Sequence, residues 1–234
     1  MQYYRRLAPF KAISFDLDDT LYSNYPVMIA VDAKMQQYFQ ALLPAGQEYG
    51  YHFWLPYKKQ ALTLNPLLQH DVGKLRRHSY SLGFTALGYS TDDAQQMAAE
   101  ALSYFVSQRS NFEVPNAVHQ LLEALKQRWP LVAISNGNVD TKAINIAQYF
   151  DLIYHAGGAF KQKPEPDMFA HTCQTLAIKP QELLHVGDCG ANDVIGAIRY
   201  GCQAAWISTY DVGEPLRVLP TLALNDVNEL KRLL

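Results

Sequence analysis

Asp16 and Asp18 stand two residues apart in Phe15-Asp16-Leu17-Asp18-Asp19-Thr20-Leu21, directly after the apolar, β-branched run Lys11-Ala12-Ile13-Ser14-Phe15. That run reads as a buried strand. Carboxylates just past the carboxyl end of such a strand occupy the crevice where open parallel sheets bind ligands. Unpaired charge is costly to bury there, so the pair answers to a cation, a proton or a phosphate. Three later segments have the same form. Ser135, followed by Asn136 and Gly137, ends a second apolar run, and Lys163 lies in the loop Lys163-Pro164-Glu165-Pro166. Asp188, after Gly187, and Asp193, after Asn192, follow a further strand-like run.

Parallel strands would bring all four segments to one edge of a sheet. Carboxylates gathered there repel one another and hold protons unless a cation intervenes. Oxygen ligands suit a hard cation and no His or Cys cluster competes for a softer one, so Mg²⁺, which keeps waters and shares a phosphate oxygen, is the expected ion. Lys163 adds a fixed positive charge and Ser135 a hydroxyl donor, while Gly137 lets backbone amides approach an anion. This set suits phosphoryl transfer, which depends on positioning and charge stabilisation.

The elements that must hold these residues follow from periodicity. Pro115 to Arg128, Thr141 to Phe150, Asp167 to Leu176, Asn192 to Tyr200 and Asn228 to Leu233 have helical spacing. They alternate with strand-like runs at Leu131–Ser135, Leu152–His155, Leu183–Val186 and Gln203–Ile207. Alternation of this kind predicts a parallel sheet covered on both faces. Between Leu21 and Asn111 strand runs are missing, and Pro26 to Leu43, Tyr51 to Leu62, Pro66 to Leu82 and Thr91 to Gln108 allow helices. The expected organisation is an α/β, Rossmann-like core of residues 1–21 and 112–234. Residues 22–111 form an inserted all-helical cap over the strand ends, where it could cover a site.

The net charge of −2 offers nothing to a polyphosphate backbone or an anionic membrane, so neither nucleic acid nor a membrane is an expected partner. The start of the chain carries no secretory pattern, and no apolar stretch reaches membrane length. Cys173, Cys189 and Cys202 are few, odd in number and without C-x-x-C spacing, which argues against a disulfide framework and a zinc site and for a reducing cytoplasm.

The chain resembles the haloacid dehalogenase (HAD) superfamily, in its phosphatase branch with a helical cap. The D-x-D-x-T motif matches Asp16, Asp18 and Thr20, and the Ser or Thr after a hydrophobic strand matches Ser135. The Lys-Pro motif matches Lys163 better than Lys161, and the acidic G-D-x-x-x-x-D motif matches Gly187, Asp188 and Asp193. The resemblance implies that Asp16 is the nucleophile forming an aspartyl-phosphate. Asp18 protonates the leaving alkoxide and then activates water. Ser135 and Lys163, with Asn136 and Gly137, hold the phosphoryl oxygens. It also implies that Mg²⁺ is held by the Asp16 carboxylate, the Asp18 backbone carbonyl and Asp188, with Asp193 acting behind them or through water. Dehalogenase members lack the second acid, so Asp18 argues against carbon–halogen chemistry.

At finer scale, Tyr4-Arg5, Phe15 to Tyr22, Trp129 to Asn138 and His185-Val186-Gly187-Asp188 resemble one bacterial branch of these phosphatases. That branch acts on 5-amino-6-(5-phospho-D-ribitylamino)uracil and on FMN in riboflavin synthesis. The implied partner is therefore a small phosphorylated metabolite, and the expected assembly a monomer or homodimer.

Two other readings share the motifs. A sugar phosphomutase, or a phosphatase for sugar phosphates or nucleotides, would use the same core. A phosphoacceptor signalling module also pairs an Asp with a hydroxyl residue and a Lys, but has no use for an acid/base such as Asp18. Among remaining residues, Asp19 reads as a turn residue, His185 as a satisfied structural histidine and Cys189 as a packing residue. Lys74, Arg76 and Arg77, with Tyr49, Tyr51, Phe53, Trp54 and Tyr57, could wall a ring-bearing substrate. Most of them are expected instead to form a helical core and a solvated basic face.

Overall fold

The computed structural model describes residues 1–210, 212 and 214–234. Its strands are β1 (Gln2–Tyr3), β2 (Ala12–Phe15), β3 (Leu131–Ser135), β4 (Leu152–His155), β5 (Leu183–Gly187), β6 (Gln203–Ile207) and β7 (Leu222–Leu224). Its α-helices are α1 (Tyr25–Leu42), α2 (Tyr51–Leu64), α3 (Val72–Ala86), α4 (Thr91–Arg109), α5 (Asn116–Lys126), α6 (Asp167–Thr175) and α7 (Gly196–Tyr200). The strands form one sheet in the order β1-β7-β6-β5-β2-β3-β4, parallel except for β1, which runs antiparallel to β7 at the edge. β2 is central, with Ile13 opposite Leu131 on one side and Leu184 on the other.

Alternation along the strands loads both faces. Ile13, Phe15, Leu131, Ala133, Leu184 and Val186 pack with Leu121, Leu122 and Leu125 of α5. Ala12, Val132, Ile134 and Leu183 pack on the opposite face with Met168 and Phe169 of α6 and Ala197 of α7. A sheet buried on both faces needs apolar residues at consecutive positions, which is why these strands read as unbroken hydrophobic runs. α1 to α4 enclose a separate apolar cluster centred on Phe39, Trp54, Phe84 and Phe105.

Several sequence expectations change. The helix expected over Pro66 to Leu82 is two pieces, a 3₁₀ turn at Pro66–His70 and then α3. Asp71 divides them: its backbone is extended, and its carboxylate accepts from Lys74 N as the N-cap of α3. Thr141 to Phe150 is not a helix but a series of turns with one 3₁₀ turn at Ala147–Tyr149. There Asp140 accepts from the backbone of Lys142 and Ala143, and Asn145 is left-handed, so no helical ladder propagates. The helix expected over Asn192 to Tyr200 is divided between a π-helical turn, Gly190–Ile195, and α7, and the chain closes on a 3₁₀ segment, Val227–Leu233, in place of an α-helix. The short strands β1 and β7, at one end of the sheet, were not expected from sequence.

Candidate active site

The strand alternation of β2 continues into the following loop and aims its carboxylates. Leu17 and Leu21 are buried in the core beneath the loop, which leaves Asp16 and Asp18 on the opposite side, facing the cleft. Asp16 N still donates to Val186 O, so the residue is fixed by the ladder. Asp19 takes a left-handed turn with φ 55°, and its carboxylate accepts from Asn24 N, the turn role expected for it.

A cleft of about 210 Å³ at the carboxyl edge of the sheet is lined by Asp16, Asp18, Ser135, Gly137, Lys163 and Asp188, with Asn136 and Asp193 beside them. All four sequence segments therefore converge. Lys163 lies at the floor, 1% exposed. Its ammonium donates to Asp16 Oδ1 at 2.6 Å and to Ile134 O at 2.6 Å, and pairs with Asp193 Oδ1 at 2.7 Å. Three acceptors use all three ammonium hydrogens, so Lys163 serves the cleft as a fixed charge. Burial works against that charge, but Asp16 and Asp193 outweigh it and hold Lys163 above the usual lysine range.

Asp193 is fully engaged from behind. Its Oδ1 takes Lys163 and His185 Nε2, and its Oδ2 accepts from Cys189 N at 2.9 Å. Burial would raise its pKa, yet Lys163 and His185 hold it well below the usual carboxylate range. His185 is a satisfied structural histidine: burial lowers its pKa, leaving it neutral, with Nε2–H toward Asp193 and Nδ1 accepting from Ser14 Oγ. Cys189 Sγ accepts from Asn192 N at the start of the π-helical turn, which is its local role.

Asp16 and Asp188 have the reverse problem. Burial pushes both upward, and Asp193 adds repulsion to each. Asp188 is raised to about 7. Oxygens of Asp16, Asp188 and Asp193 lie within 4.8 Å of one another, a cluster that could hold a metal ion. One Asp16 oxygen is taken by Lys163 and one Asp188 oxygen by Thr20 Oγ1 at 3.2 Å, so each keeps a second oxygen for a cation. Asp193 has none to spare. An all-carboxylate set in which burial and mutual repulsion raise Asp16 and Asp188 fits a hard divalent cation.

Asn136 and Gly137 line the cleft and also hold its loops together. Asn136 braces two loops: its Oδ1 accepts from Lys163 N at 2.7 Å and its Nδ2 donates to Lys163 O at 3.0 Å. Gly137 N donates to Ser135 Oγ at 3.0 Å, which turns the Ser135 hydroxyl hydrogen outward. A Cβ on Gly137 would come within 2.6 Å of Asp18 Oδ2, so glycine there makes room for the second carboxylate.

Two contacts escaped the sequence reading. Arg109, the last residue of α4, forms an ion pair with Asp18 Oδ1, and Tyr22 OH donates to the same oxygen at 2.8 Å. Tyr22 belongs to the motif region, but an arginine ninety-one positions from its partner leaves no local signal. Of the aromatic residues considered for a substrate wall, Tyr49 and Trp54 are buried inside the helical cluster, and Tyr51 is exposed. Arg76, half-buried, stacks over Phe105 of that cluster, 3.6 Å from its centroid.

Comparison with known proteins agrees with this arrangement. A family model described as hydrolase, haloacid dehalogenase-like hydrolase, matches residues 10–201. The chain is 34% identical over 242 residues to the 5-amino-6-(5-phospho-D-ribitylamino)uracil phosphatase YigB of Escherichia coli K12, covering 100% of both. It is 27% identical to the N-acylneuraminate-9-phosphatase of Rattus norvegicus, covering 97% of this chain and 95% of that one. Among solved structures, a 2-haloacid dehalogenase from Pseudomonas syringae pv. Tomato DC3000 superimposes with TM-score 0.86 at 27% identity, over 95% of this chain and 97% of the other.

Proposed function

The chain belongs to the haloacid dehalogenase-like hydrolases, as a phosphatase of that family; from that premise we propose that it is a Mg²⁺-dependent phosphomonoesterase working through a covalent aspartyl-phosphate on Asp16. We propose further that residues 22–111 form its cap and that its substrates are 5-amino-6-(5-phospho-D-ribitylamino)uracil and FMN. The observation that carries the reading is the cleft floor, where one buried lysine is shared between Asp16 and Asp193 while Asp18 stands apart from that pair.

In this reading an Asp16 carboxylate oxygen attacks phosphorus and the bond to the alkoxide breaks as Asp18 gives it a proton. Lys163 and the Ser135 hydroxyl offset charge on the equatorial oxygens. Asp18, now a carboxylate, takes a proton from water as the water attacks phosphorus. Inorganic phosphate leaves and Asp16 is restored. Bound at Asp16 and Asp188, with Asp193 behind them and the Asp18 carbonyl as a further ligand, Mg²⁺ would supply electrophilic stabilisation of the phosphoryl group. The full-length match to the E. coli enzyme supports the flavin-pathway substrates. The match to the Pseudomonas dehalogenase raises carbon–halogen cleavage as a second reading. A halide leaves without a proton, so a second acid at Asp18 favours the phosphatase.

A cleft of this size takes the phosphate end, and a flat ring would have to be covered by the helical segment. Burying that ring should favour FMN over glucose 6-phosphate by about ten- to a hundred-fold in kcat/KM. Phosphate release should be measured on one preparation at fixed Mg²⁺. A preference for simple sugar phosphates or nucleoside monophosphates would reject the flavin assignment; halide release from 2-haloacids with no phosphate release would reject the phosphatase.

The metal reading has a pH signature. Because Asp188 is raised to about 7, its proton is kept below that pH and the metal-free fold is penalised as pH rises through it. Mg²⁺ must displace the proton, so its affinity should fall by up to about tenfold per pH unit below 7. The rise in Tm on adding a fixed Mg²⁺ concentration should therefore be larger at pH 8 than at pH 6. A shift independent of pH would remove Asp188 from the ligand set.

A further inference from the structure

Arg109 is a charged residue with no place in the mechanism above, yet it is only 3% exposed. Its guanidinium reaches Asp18 Oδ1 from the end of α4, across ninety-one positions of sequence. Tyr22 OH, from the loop that follows β2, donates to the same oxygen. Burial acts against the Arg109 charge, and Asp18 outweighs it. Burial first and Asp18 second push Tyr22 well above the usual tyrosine range, so it remains a donor.

Both donors converge on Oδ1. The other oxygen, Oδ2, lies over Gly137, where a Cβ would be 2.6 Å from it and 3.3 Å from Ser135 Oγ. The carboxylate is thus split in function: one oxygen is clamped and the other faces the residues that line the cleft. Arg109 Nη1, also buried, has no hydrogen-bond partner among the described residues. A guanidinium buried only to brace the fold would be expected to satisfy its donors. This one keeps its ion pair with Asp18 and leaves a donor unused.

We propose that Arg109 and Tyr22 are positioning residues that clamp Asp18 Oδ1 and present Oδ2 for proton transfer, so that the position of the carboxyl end of α4 against the loop after β2 sets the acid/base. The inference rests on Asp18 being the acid/base. It makes the last helix of the inserted segment part of the catalytic geometry rather than a cover alone. Release of Arg109 would free the carboxylate to rotate, and misplacement of a reacting group by an ångström costs about a hundredfold.

The test is leaving-group dependence of kcat/KM, with FMN as the alkyl phosphate and p-nitrophenyl phosphate as the ester that needs no proton. Asp18→Asn should lose about 10²- to 10⁴-fold on FMN and much less on p-nitrophenyl phosphate. Arg109→Ala should reproduce that selective loss at about a hundredfold on FMN, with added guanidinium restoring part of it. Arg109→Lys should fall between. Tyr22→Phe, checked for an unchanged melting temperature, should show the same selectivity more weakly and covers the case in which Arg109 variants fail to fold. Equal losses on both esters, or none, in the Arg109 and Tyr22 variants while Asp18→Asn remains selective would overturn the positioning role. An Asp18→Asn enzyme without selectivity would instead overturn the acid/base reading beneath it.

Discussion

Asp16→Asn protein should fold, melt no lower than the unsubstituted chain in the absence of metal, and release phosphate at background rate. The amide is nearly isosteric with the carboxylate, so packing against β5 survives. The charge it removes is one the fold disfavours: burial raises the Asp16 pKa, and Asp193, Asp188 and Asp18 all add repulsion that Lys163 only partly offsets. An amide is not a nucleophile, and loss of an attacking group typically costs about 10⁴-fold or more. Phosphate release, a thermal melt and trapping with BeF₃⁻ check the three statements. Substantial turnover in preparations free of the parent enzyme would remove the covalent step. A large fall in Tm would show that Asp16 stabilises the fold through Lys163 rather than straining it.

Lys163→Met should be the most destabilising single change in the cleft. The ammonium is completely buried and its three hydrogens meet Asp16, Asp193 and the Ile134 carbonyl. Without it two carboxylates remain in a low-dielectric floor with no counter-charge. Breaking a buried pair from one side typically costs about 3–5 kcal/mol, because an uncompensated charge is left behind. Urea unfolding at pH 7.5 in EDTA should show that loss, and Mg²⁺ should recover only part of it. Adding Asp16→Asn to Lys163→Met should restore stability, since it removes one orphaned charge, while activity stays absent. A loss below about 1 kcal/mol would mean that the pair behaves like a solvated surface bridge.

The sequence carried the parts of this site that depend on strand ends. Asp16, Ser135 and Asp188 each follow a short run buried on both faces, and such runs are visible as continuous hydrophobicity. Lys163, in a loop, was legible from its residue type and the proline after it. What stayed hidden was whatever arises only on folding. Arg109 reads as an ordinary basic residue in the last turn of α4, and only the folded approach of that helix end to the loop after β2 reveals its partner. The misread helix at Thr141 has the right apolar spacing, but Asp140 and Asn145 divert the backbone through side-chain and left-handed turns. β1 and β7, at two and three residues, are too short to show a period. Hidden too were the hydrogen bonds by which Asn136 braces Lys163 and Gly137 reaches Ser135.

The place where the helical segment departs has a consequence for chain entropy. The polypeptide leaves the sheet after Phe15 and returns at Leu131, and Ile13 and Leu131 are direct neighbours in adjacent strands. The excursion therefore closes on itself, and β2 and β3 must meet however long it is. Closure of a flexible loop costs only about 0.6 kcal/mol more for each doubling of its length. A segment of many helices is thus scarcely more expensive to the sheet than a short one, provided it compensates its own ordering, as the Phe39–Trp54–Phe84 cluster does. The sheet therefore sets no length for this excursion, and the residue that ties it to the strand ends is Arg109, which reaches back to Asp18.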